Sequence, residues 1–465
     1  MRVWRQRNLT LEGKITIFKT LAISQIVYNA FLSSVPKYVI DTLKRIQNDF
    51  LWNGKKAKIK HLTLCNSYEM GGLQSVDIEI KIKALQLSWI SRLYDSNDHQ
   101  WKTIPKYYLE SLFGNHIFYP QFSPKLGMNL SPLPLFYQNM IIQWKDCSSP
   151  LLTARNIVTH CLWHNHYLKI ANNTFHFKGF EVRNLNYIYQ LFNNNGSVKT
   201  WNQISEEFTL DASLHFKYLQ IVNAIPPSWK RMIFENIDTP YEITSPTRGI
   251  QQCTRTILLE KLQSKQFYII LIRNRNHTPT AKIYFNEKYS NIDTKSWLQI
   301  DLLPRKTTRN SYARIFQYKL LNNILYLNDK LFLFGKSETN LCSFCRIEIE
   351  TTSHLFSECS QTLLLWSQLK EYLSPHIILD DLNTQSALLG LYNDRLNNYL
   401  LVNHLLLIFK LYIYKSRKSF TLRINDLKNE IIDIANIELK STILTPEFSD
   451  IYTGKWNPIN SIVSS

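Results

Sequence analysis

The first sixty residues place apolar side chains at the spacing of two amphipathic helices. In the first helix the apolar positions are Leu11, Ile15, Phe18, Ala22 and Ile26. The second is predicted to begin near Ser34, with Pro36 in its first turn, and its apolar positions are Val39, Leu43, Ile46 and Phe50. Residues three and four apart share one helical face, so each helix needs a partner surface to cover that face.

Helical spacing recurs further along the chain. A turn at Gly71-Gly72 precedes a predicted helix with apolar positions at Ile82, Leu85, Trp89 and Leu93. Another helical segment carries Phe316, Leu320, Ile324, Leu327 and Leu331. Ser360 is predicted to cap a helix that buries Leu363, Trp366 and Leu373. Two last helices are expected over residues 397–418 and 425–439, followed by a loose tail beyond Thr445.

The pattern is weaker in the middle of the chain. Prolines accumulate between Pro105 and Pro150, which favours a boundary or connector there. Residues 151–300 are predicted to form a mixed, mainly helical module, in which periodicity alone leaves 267–275 open between helix and strand. The expected fold is therefore mainly α and multi-module. Its five segments are residues 1–60, basic and helical; 61–120, helical; 121–300, mixed; 301–375, metal-binding; and 376–465, C-terminal helices and tail.

Composition supports a folded protein with a polyanionic partner. The 465 residues are 45% hydrophobic and 13% aromatic, which argues against disorder and predicts two to four modules. The formal net charge is +18. Such an excess favours nucleic acid or an anionic membrane. Membrane association is the weaker choice because no uninterrupted apolar run approaches the roughly 20 residues of a spanning helix.

Positive charge is concentrated at the start of the chain. Residues 1–60 hold twelve Lys or Arg residues and three Asp or Glu residues, which gives half of the net charge. The densest part is the loop with Lys55, Lys56, Lys58, Lys60 and His61. A solvated linker is the plain alternative. We favour phosphate contacts, because Trp52 and Tyr68 flank the loop and offer rings on which bases stack.

A second basic stretch precedes the cysteine motif described below. Its positive residues are Arg305, Lys306, Arg309, Arg314 and Lys319. Their position suggests a second nucleic-acid surface beside the metal-binding segment.

Cys342, Cys345, His354 and Cys359 form a C-x2-C-x8-H-x4-C pattern. Three thiolates and one imidazole are the ligands of a tetrahedral zinc site, and four protein ligands leave no position for water. A structural Zn2+ site is therefore predicted. The alternatives are coincidence, a reduced and buried Cys pair, or iron, although no second thiolate set for a cluster lies nearby. His160, Cys161, His164 and His166 are interpreted as ordinary helix packing, because no third ligand or general base accompanies them.

Cysteine usage indicates a reducing compartment. The chain has seven cysteines, and those outside the motif, Cys65, Cys147, Cys161 and Cys253, are far apart in sequence. The N-terminus has no apolar region of the kind that secretory signals carry. Nucleus or cytoplasm is the expected localisation.

Several segments together resemble the C-terminal region of the reverse transcriptase of LINE-type, non-LTR retrotransposons. Residues 4–15 (WRQRNLTLEGKI) look like the start of the thumb, and residues 47–52 and 71–73 look like the segments that follow. Residues 316–321, 341–345, 354–359 and Trp366 are similar to the zinc-binding segment of that family, and 403–410 to its final helices. The similarity is weak between residues 120 and 260.

The resemblance implies a thumb that grips a template–primer duplex and a zinc segment that holds element RNA or target DNA. The paired aspartates that such a polymerase needs for two magnesium ions are missing, since Asp380-Asp381 lacks the expected context. Palm, fingers and endonuclease are also missing, so Met1 is expected to be an internal start in a truncated copy or partial gene model. The expected function is noncatalytic RNA or DNA binding, with the missing catalytic portion as a further partner. The alternatives are a zinc-stabilised protein-interaction module, or part of an active polymerase whose palm lies upstream.

Overall fold

The computed structural model describes residues 2–123, 130–147, 149–150, 153–236, 248–253, 255–275, 277–289, 292–392, 398–444 and 454–463. The chain is mainly helical, with 62% helix and 3% strand, which confirms the predicted mainly α class. Backbone contacts group it into two compact units. The first unit comprises Met1–Ala22, Arg45–Val76 and Asn276–Ser465, and the second comprises Ile23–Lys44 and Asp77–Arg275. The five segments expected from the sequence stay a prediction.

The first unit contains most of the long helices. Its helices are Arg2–Arg5, Leu11–Ile17, His61–Cys65, Tyr68–Met70, Thr280–Lys288, Thr294–Thr307, Ser311–Leu321, Asn328–Leu333, His354–Glu358, Ser360–Leu373, Thr384–Leu389, Tyr399–Ser416, Ile424–Leu444, Asn457–Ile459 and Asn460–Val463. Two further helical elements, Phe18–Ile23 and Lys37–Trp52, run across the sequence boundaries of the units.

The second unit combines helices with a small sheet. Its helices are Ser24–Leu32, Ile78–Leu93, Gln100–Lys102, Thr103–Phe113, Leu135–Trp144, Ala154–Val158, Lys178–Glu181, Ile188–Leu191, Trp201–Glu207, Ala212–Leu214, His215–Ala224, Pro227–Glu235, Leu259–Lys261 and Ser264–Arg273. Strand Gly249–Cys253 pairs parallel to Ser149–Pro150 and antiparallel to Arg255–Leu258. The segment that periodicity left open, 267–275, is thus mostly helical.

The register of the first predicted helix changes at Phe18. Leu11, Ile15 and Phe18 are buried as expected. The turn Phe18–Ile23 is π-helical, and its wider turn moves the buried position by one residue. Ile23 is consequently buried, whereas Ala22 is only half-buried. The spacing rule assumes 3.6 residues per turn and so misses this shift.

The second predicted helix begins three residues later than expected, at Lys37, because Pro36 lies just outside it. Phe50 is buried, but Ile46 is 41% exposed. Gln47 is buried instead, and its amide donates to Ser75 Oγ and to the carbonyl of Val76. A polar residue is tolerated inside because its hydrogen bonds are made.

Helix Tyr399–Ser416 runs through the core of the first unit. Residues on all of its sides are buried, as expected for a helix surrounded by others. The Phe409 ring lies 5.0 Å from that of Trp366, edge to face. Trp366 and Leu373 are buried as predicted, but Leu363 is 39% exposed.

The C-terminus is not a loose tail throughout. Residues 445–453 lie outside the described residues, yet Lys455, Trp456, Ile459 and Val463 are buried. Lys455 Nζ pairs with Glu438 and donates to the carbonyl of Thr307 at 2.8 Å. The expectation failed because the apolar positions of this short segment are too few to show a period.

The second unit has two apolar clusters, one around Trp144 and Phe267 and one around Trp163 and Phe180. The histidines noted in the sequence lie here in an irregular segment, not on a helix. His160 and His164 are buried, and burial lowers the pKa of each to about 3. Both are therefore neutral at pH 7, as packed core side chains should be.

Candidate metal centre and basic groove

Cys342 and Cys345 lie on a tight hairpin. Cys342 N donates to the carbonyl of Glu348, and Arg346 N donates to the carbonyl of Cys342. Arg346 adopts a left-handed backbone conformation with φ 59°, which turns the chain back after the second cysteine. Backbone N–H groups of Phe344 and Cys345 point at the Cys342 sulfur. The hairpin thus presents both sulfurs on one side, while the hydrogen bond to Cys359 raises the pKa of the Cys342 thiol.

His354 and Cys359 approach from a π-helical turn. Cys359 N donates to the carbonyl of His354, the five-residue hydrogen bond that defines such a turn. This geometry explains the x4 spacing, because residues five apart come together in a π turn. Leu355 and Phe356 between them are fully buried and anchor the turn in the core.

The four side chains converge on one point. Their ligand atoms all lie within 4.8 Å of one another. Cys342 Sγ is 3.8 Å from Cys359 Sγ, and Cys345 Sγ is 3.3 Å from His354 Nε2. Tetrahedral zinc with Zn–S bonds of about 2.3 Å separates its sulfurs by about 3.8 Å. The predicted residues therefore come together in an arrangement that can bind a metal.

Electrostatics favour a thiolate at Cys359. The pKa of its thiol is lowered, chiefly because Cys342 S–H donates to it. Backbone N–H groups of Gln361 and Thr362, in the first turn of helix Ser360–Leu373, lower it further. Thiolate is the form that ligates a metal.

Glu350 fixes the hairpin to its surroundings and is fully buried. Its carboxylate accepts hydrogen bonds from Ser343 N and Oγ at 2.8 and 2.6 Å, and from Asn328 N at 2.9 Å. It also pairs with Arg417 Nη2 at 2.6 Å. Arg417 in turn donates from Nη1 to the carbonyl of Tyr326. One buried carboxylate thus connects the metal hairpin with two neighbouring elements.

A groove in the same unit, here called the basic groove, has a volume of about 710 Å3. Its positive lining residues are Lys14, Lys55, Lys58, Lys319 and Lys415. Its aromatic lining residues are Trp52, Tyr312, Phe316, Tyr326 and Tyr414. Among the described residues that line it, none is Asp or Glu. The groove therefore combines positive charge with ring surfaces.

The lysines of the basic groove are not equivalent. Lys55, Lys58 and Lys319 are exposed, and no carboxylate within the described ranges pairs with them. Lys14 is buried and donates to Asn53 Oδ1 at 2.6 Å, whereas Lys415 pairs with Glu430. Partial desolvation by the groove walls and the nearby charge of Lys58 lower the pKa of Lys319. The three exposed lysines thus hold concentrated positive charge that a bound anion would relieve.

Two tyrosines present their rings at the groove. Tyr312 is 59% exposed, and its hydroxyl donates to the carbonyl of Asn8. Tyr326 is 39% exposed, and Lys58 Nζ lies 3.5 Å from its ring centroid. The Tyr326 ring also contacts Phe334, with centroids 6.2 Å apart. Neither tyrosine stands out in the sequence, because only the fold brings both to the lysine loop.

The other predicted nucleic-acid contacts lie elsewhere or have partners inside the protein. Lys56 and Lys306 are exposed outside the groove, and Lys306 donates to Gln299. Lys60 Nζ lies 3.3 Å from His277 Nε2, while His61 Nε2 faces Val76 O and Cys65 Sγ. Arg314 donates to the carbonyl of Thr308, and Arg309 is half-buried. Only Lys55, Lys58 and Lys319 of the predicted set line the basic groove.

Arg305 and Tyr68 contact each other. The Arg305 guanidinium lies 3.2 Å from the Tyr68 ring centroid and pairs with Glu12. The Tyr68 face expected to stack on a base is thus covered by a side chain of the same unit.

One described helical stretch, Leu11–Leu32, is long and apolar enough to cross a membrane. By length and composition alone this is weak evidence, since core helices and signal sequences meet the same criterion. This stretch does not stand out in the sequence, because Lys14 and Lys19 interrupt its apolar run.

Comparisons with protein families and with curated sequences give no match. The chain matches no known protein-family model, and no curated protein sequence is significantly similar to it. The resemblance to reverse transcriptases consequently rests on the sequence segments quoted above.

Proposed function

We propose that the chain is a noncatalytic, nucleic-acid-binding C-terminal region of a LINE-type reverse transcriptase, acting in the nucleus or cytoplasm. The basic groove carries this proposal. It brings three exposed lysines from two distant parts of the sequence together beside exposed tyrosines. Lysines bind phosphates without choosing a sequence, and aromatic rings stack on bases.

The net charge of +18 supports the same function at longer range. A polyanion is attracted to such a protein before any specific contact forms. Among the described ion pairs, Lys415 has Glu430 as its partner, and none involves Lys55, Lys58 or Lys319. Positive charge at the groove is therefore left for phosphate.

The four-residue metal centre supplies a structural Zn2+ site in this proposal. Cys342, Cys345, His354 and Cys359 would be its ligands, since three soft sulfurs with one imidazole suit zinc. All four positions of a tetrahedron are then filled by protein, so the ion would stabilise the hairpin instead of activating water.

Salt dependence of binding tests the proposal. The purified chain should bind a structured RNA hairpin and a DNA duplex of equal length at low salt. Affinity for either should fall steeply, as a power of the salt concentration, because phosphate contacts release counterions. Absence of binding to either probe at low salt would contradict the proposed function.

A zinc-stabilised protein-interaction module is the second candidate, and one observation favours it. Leu333 and Phe334, which precede the metal hairpin in the sequence, and Ile347, on the hairpin itself, are 79%, 60% and 75% exposed. Exposed apolar residues in a group mark partner surfaces. The catalytic portion of a reverse transcriptase is the partner this candidate implies. Such binding would persist at moderate salt.

The third candidate is that the chain is part of an active polymerase whose palm is encoded upstream. The genomic sequence before Met1 tests this candidate.

A further inference from the structure

We propose that the basic groove binds single-stranded nucleic acid, with Tyr312 as the ring on which a base stacks. The inference rests on the proposed function and specifies which form of nucleic acid this groove takes. It is carried by the position and exposure of Tyr312 and by the lysines around it.

Tyr312 is held in place but keeps its ring accessible. It lies in the first turn of helix Ser311–Leu321, where Asn310 caps the helix through hydrogen bonds to Tyr312 N and Ala313 N. Its hydroxyl donates to the carbonyl of Asn8 at 2.7 Å. More than half of the side chain is nevertheless exposed to solvent at the groove. A ring fixed at its edge and open at its side loses little conformational entropy when a base stacks on it.

The groove offers charge beside this ring. Lys319 follows Tyr312 by seven residues, two helical turns further along the same face. Lys55 and Lys58 line the groove from the loop after helix Lys37–Trp52. Lys58 also lies over the Tyr326 ring, so Tyr326 holds this charge at the groove while Tyr312 offers the more accessible ring. Bases and phosphates alternate along a nucleic-acid strand, and this lining offers partners for both.

The combination favours a single strand over a duplex. In a duplex the base faces are stacked on their neighbours, so a ring inside a groove cannot reach them. A site that used phosphates alone would gain nothing from exposed tyrosines. Unpaired bases present both faces, and stacking on an aromatic side chain is tolerant of sequence. RNA and DNA share this chemistry, and the experiment compares them.

The matched variants Tyr312→Leu and Tyr312→Phe test the inference. Both lose the hydroxyl bond to Asn8, but only Tyr312→Phe keeps the ring. The probes are oligo(U) and oligo(dT) of about 16 nucleotides, and duplexes of equal length. Tyr312→Leu should bind the single strands about tenfold more weakly than Tyr312→Phe. The salt slopes of the two variants should agree, because neither changes charge.

Two base-free polyanions complete the experiment. Heparin and poly-glutamate should bind Tyr312→Leu and Tyr312→Phe equally, since neither probe has a base to stack. If Tyr312→Leu loses poly-glutamate binding to the same extent as oligonucleotide binding, the occupant is an acidic peptide. That result would overturn the inference. Cross-linking of 5-iodouridine in the oligo(U) probe should map to Tyr312, and mapping to the second unit alone would also overturn it.

The outcomes distinguish failure of the single-strand inference from failure of the proposed function. If no oligonucleotide or duplex binds at low salt, the proposed function fails. If nucleic acid binds but the two Tyr312 variants are indistinguishable, or if duplexes bind wild type as tightly as single strands, only the single-strand inference fails.

Discussion

Single buried charges hold the metal-binding hairpin to the rest of the first unit. Glu350 is the clearest example, because its carboxylate has three hydrogen bonds and an ion pair with Arg417. Separating a buried ion pair by removing one partner leaves the other charge without compensation. Glu350 is therefore expected to contribute more to stability than its position in a polar turn indicates.

Glu350→Gln should lower the free energy of unfolding by about 3–5 kcal/mol, because the Arg417 side chain, only 11% exposed, loses its charged partner. Urea unfolding followed by circular dichroism measures the change. Glu348→Gln is the matched control, since Glu348 is an exposed glutamate on the same hairpin and should change stability by no more than about 0.5 kcal/mol. Equal effects of the two substitutions would contradict the assigned role.

Lys410 is expected to make the stability of the first unit depend on pH. It is buried, donates to Gln317 Oε1 at 2.7 Å, and burial lowers its pKa to about 7. An unfolded lysine titrates near pH 10.4. Between these values the unfolded chain binds the extra proton, so this group makes stability rise with pH, by up to about 1.4 kcal/mol per unit.

Lys410→Met should remove that rise, so its unfolding free energy relative to wild type should fall between about pH 7 and pH 10. Lys418→Met at an exposed position is the control and should keep the wild-type dependence. Denaturant unfolding at several pH values provides the comparison. If the unfolding free energies of wild type and Lys410→Met depend on pH in the same way, the pKa of Lys410 is not lowered in the folded protein. That result would contradict the prediction.

At the level of elements, we expect the Cys hairpin and the π turn to be stabilised by a metal bound to Cys342, Cys345, His354 and Cys359. Cys345→Ser should abolish stoichiometric zinc binding and loosen the hairpin, because a structural site supplies on the order of 10 kcal/mol to local folding. Metal content by mass spectrometry and protease sensitivity near Cys345 measure both effects. Cys147→Ala, a buried cysteine of the second unit, should leave the zinc content unchanged. Retained zinc in Cys345→Ser would contradict the ligand assignment.

The segment Gly454–Val463 is an element of the core. Trp456 is fully buried, and its Nε1 donates to Glu438 Oε2 at 3.0 Å. Trp456→Ala should lower stability by about 3–5 kcal/mol, through lost packing and an exposed cavity. Thermal unfolding measures it, with the exposed Lys440→Ala as control. If Trp456→Ala leaves the midpoint of thermal unfolding unchanged, this segment does not pack in the core. It would then be the loose tail expected from the sequence.

The sequence predicted what depends on spacing within one element. The helices after Gly71-Gly72 and after Cys359 occur as expected, and the four metal-site residues meet because each pair lies on one short element. Spacing could not reveal the π turn at Phe18 or the burial of Glu350. Spacing also could not predict that Lys55 and Tyr312 line the same groove, since this results from packing of helices far apart in sequence.

At the scale of the molecule, the chain has two units with separate apolar cores. Multi-unit chains commonly unfold in more than one step. Calorimetry should therefore show two transitions, and chelation of zinc should lower the midpoint of only one, since all four ligands belong to the first unit. A single transition that shifts as a whole on chelation would contradict the separation.

Binding of phosphate in the basic groove is the central claim, and the salt slope of oligo(dT) binding measures it most directly. The triple variant Lys55→Gln, Lys58→Gln, Lys319→Gln is compared with a control that changes three exposed lysines of the second unit, Lys178, Lys261 and Lys265, to Gln. Each lost single-strand phosphate contact should reduce the slope by about 0.7. The groove variant should therefore lose about 2 from the wild-type slope, and the control should lose nothing. Equal slopes for wild type and the groove variant would contradict nucleic-acid binding at this groove.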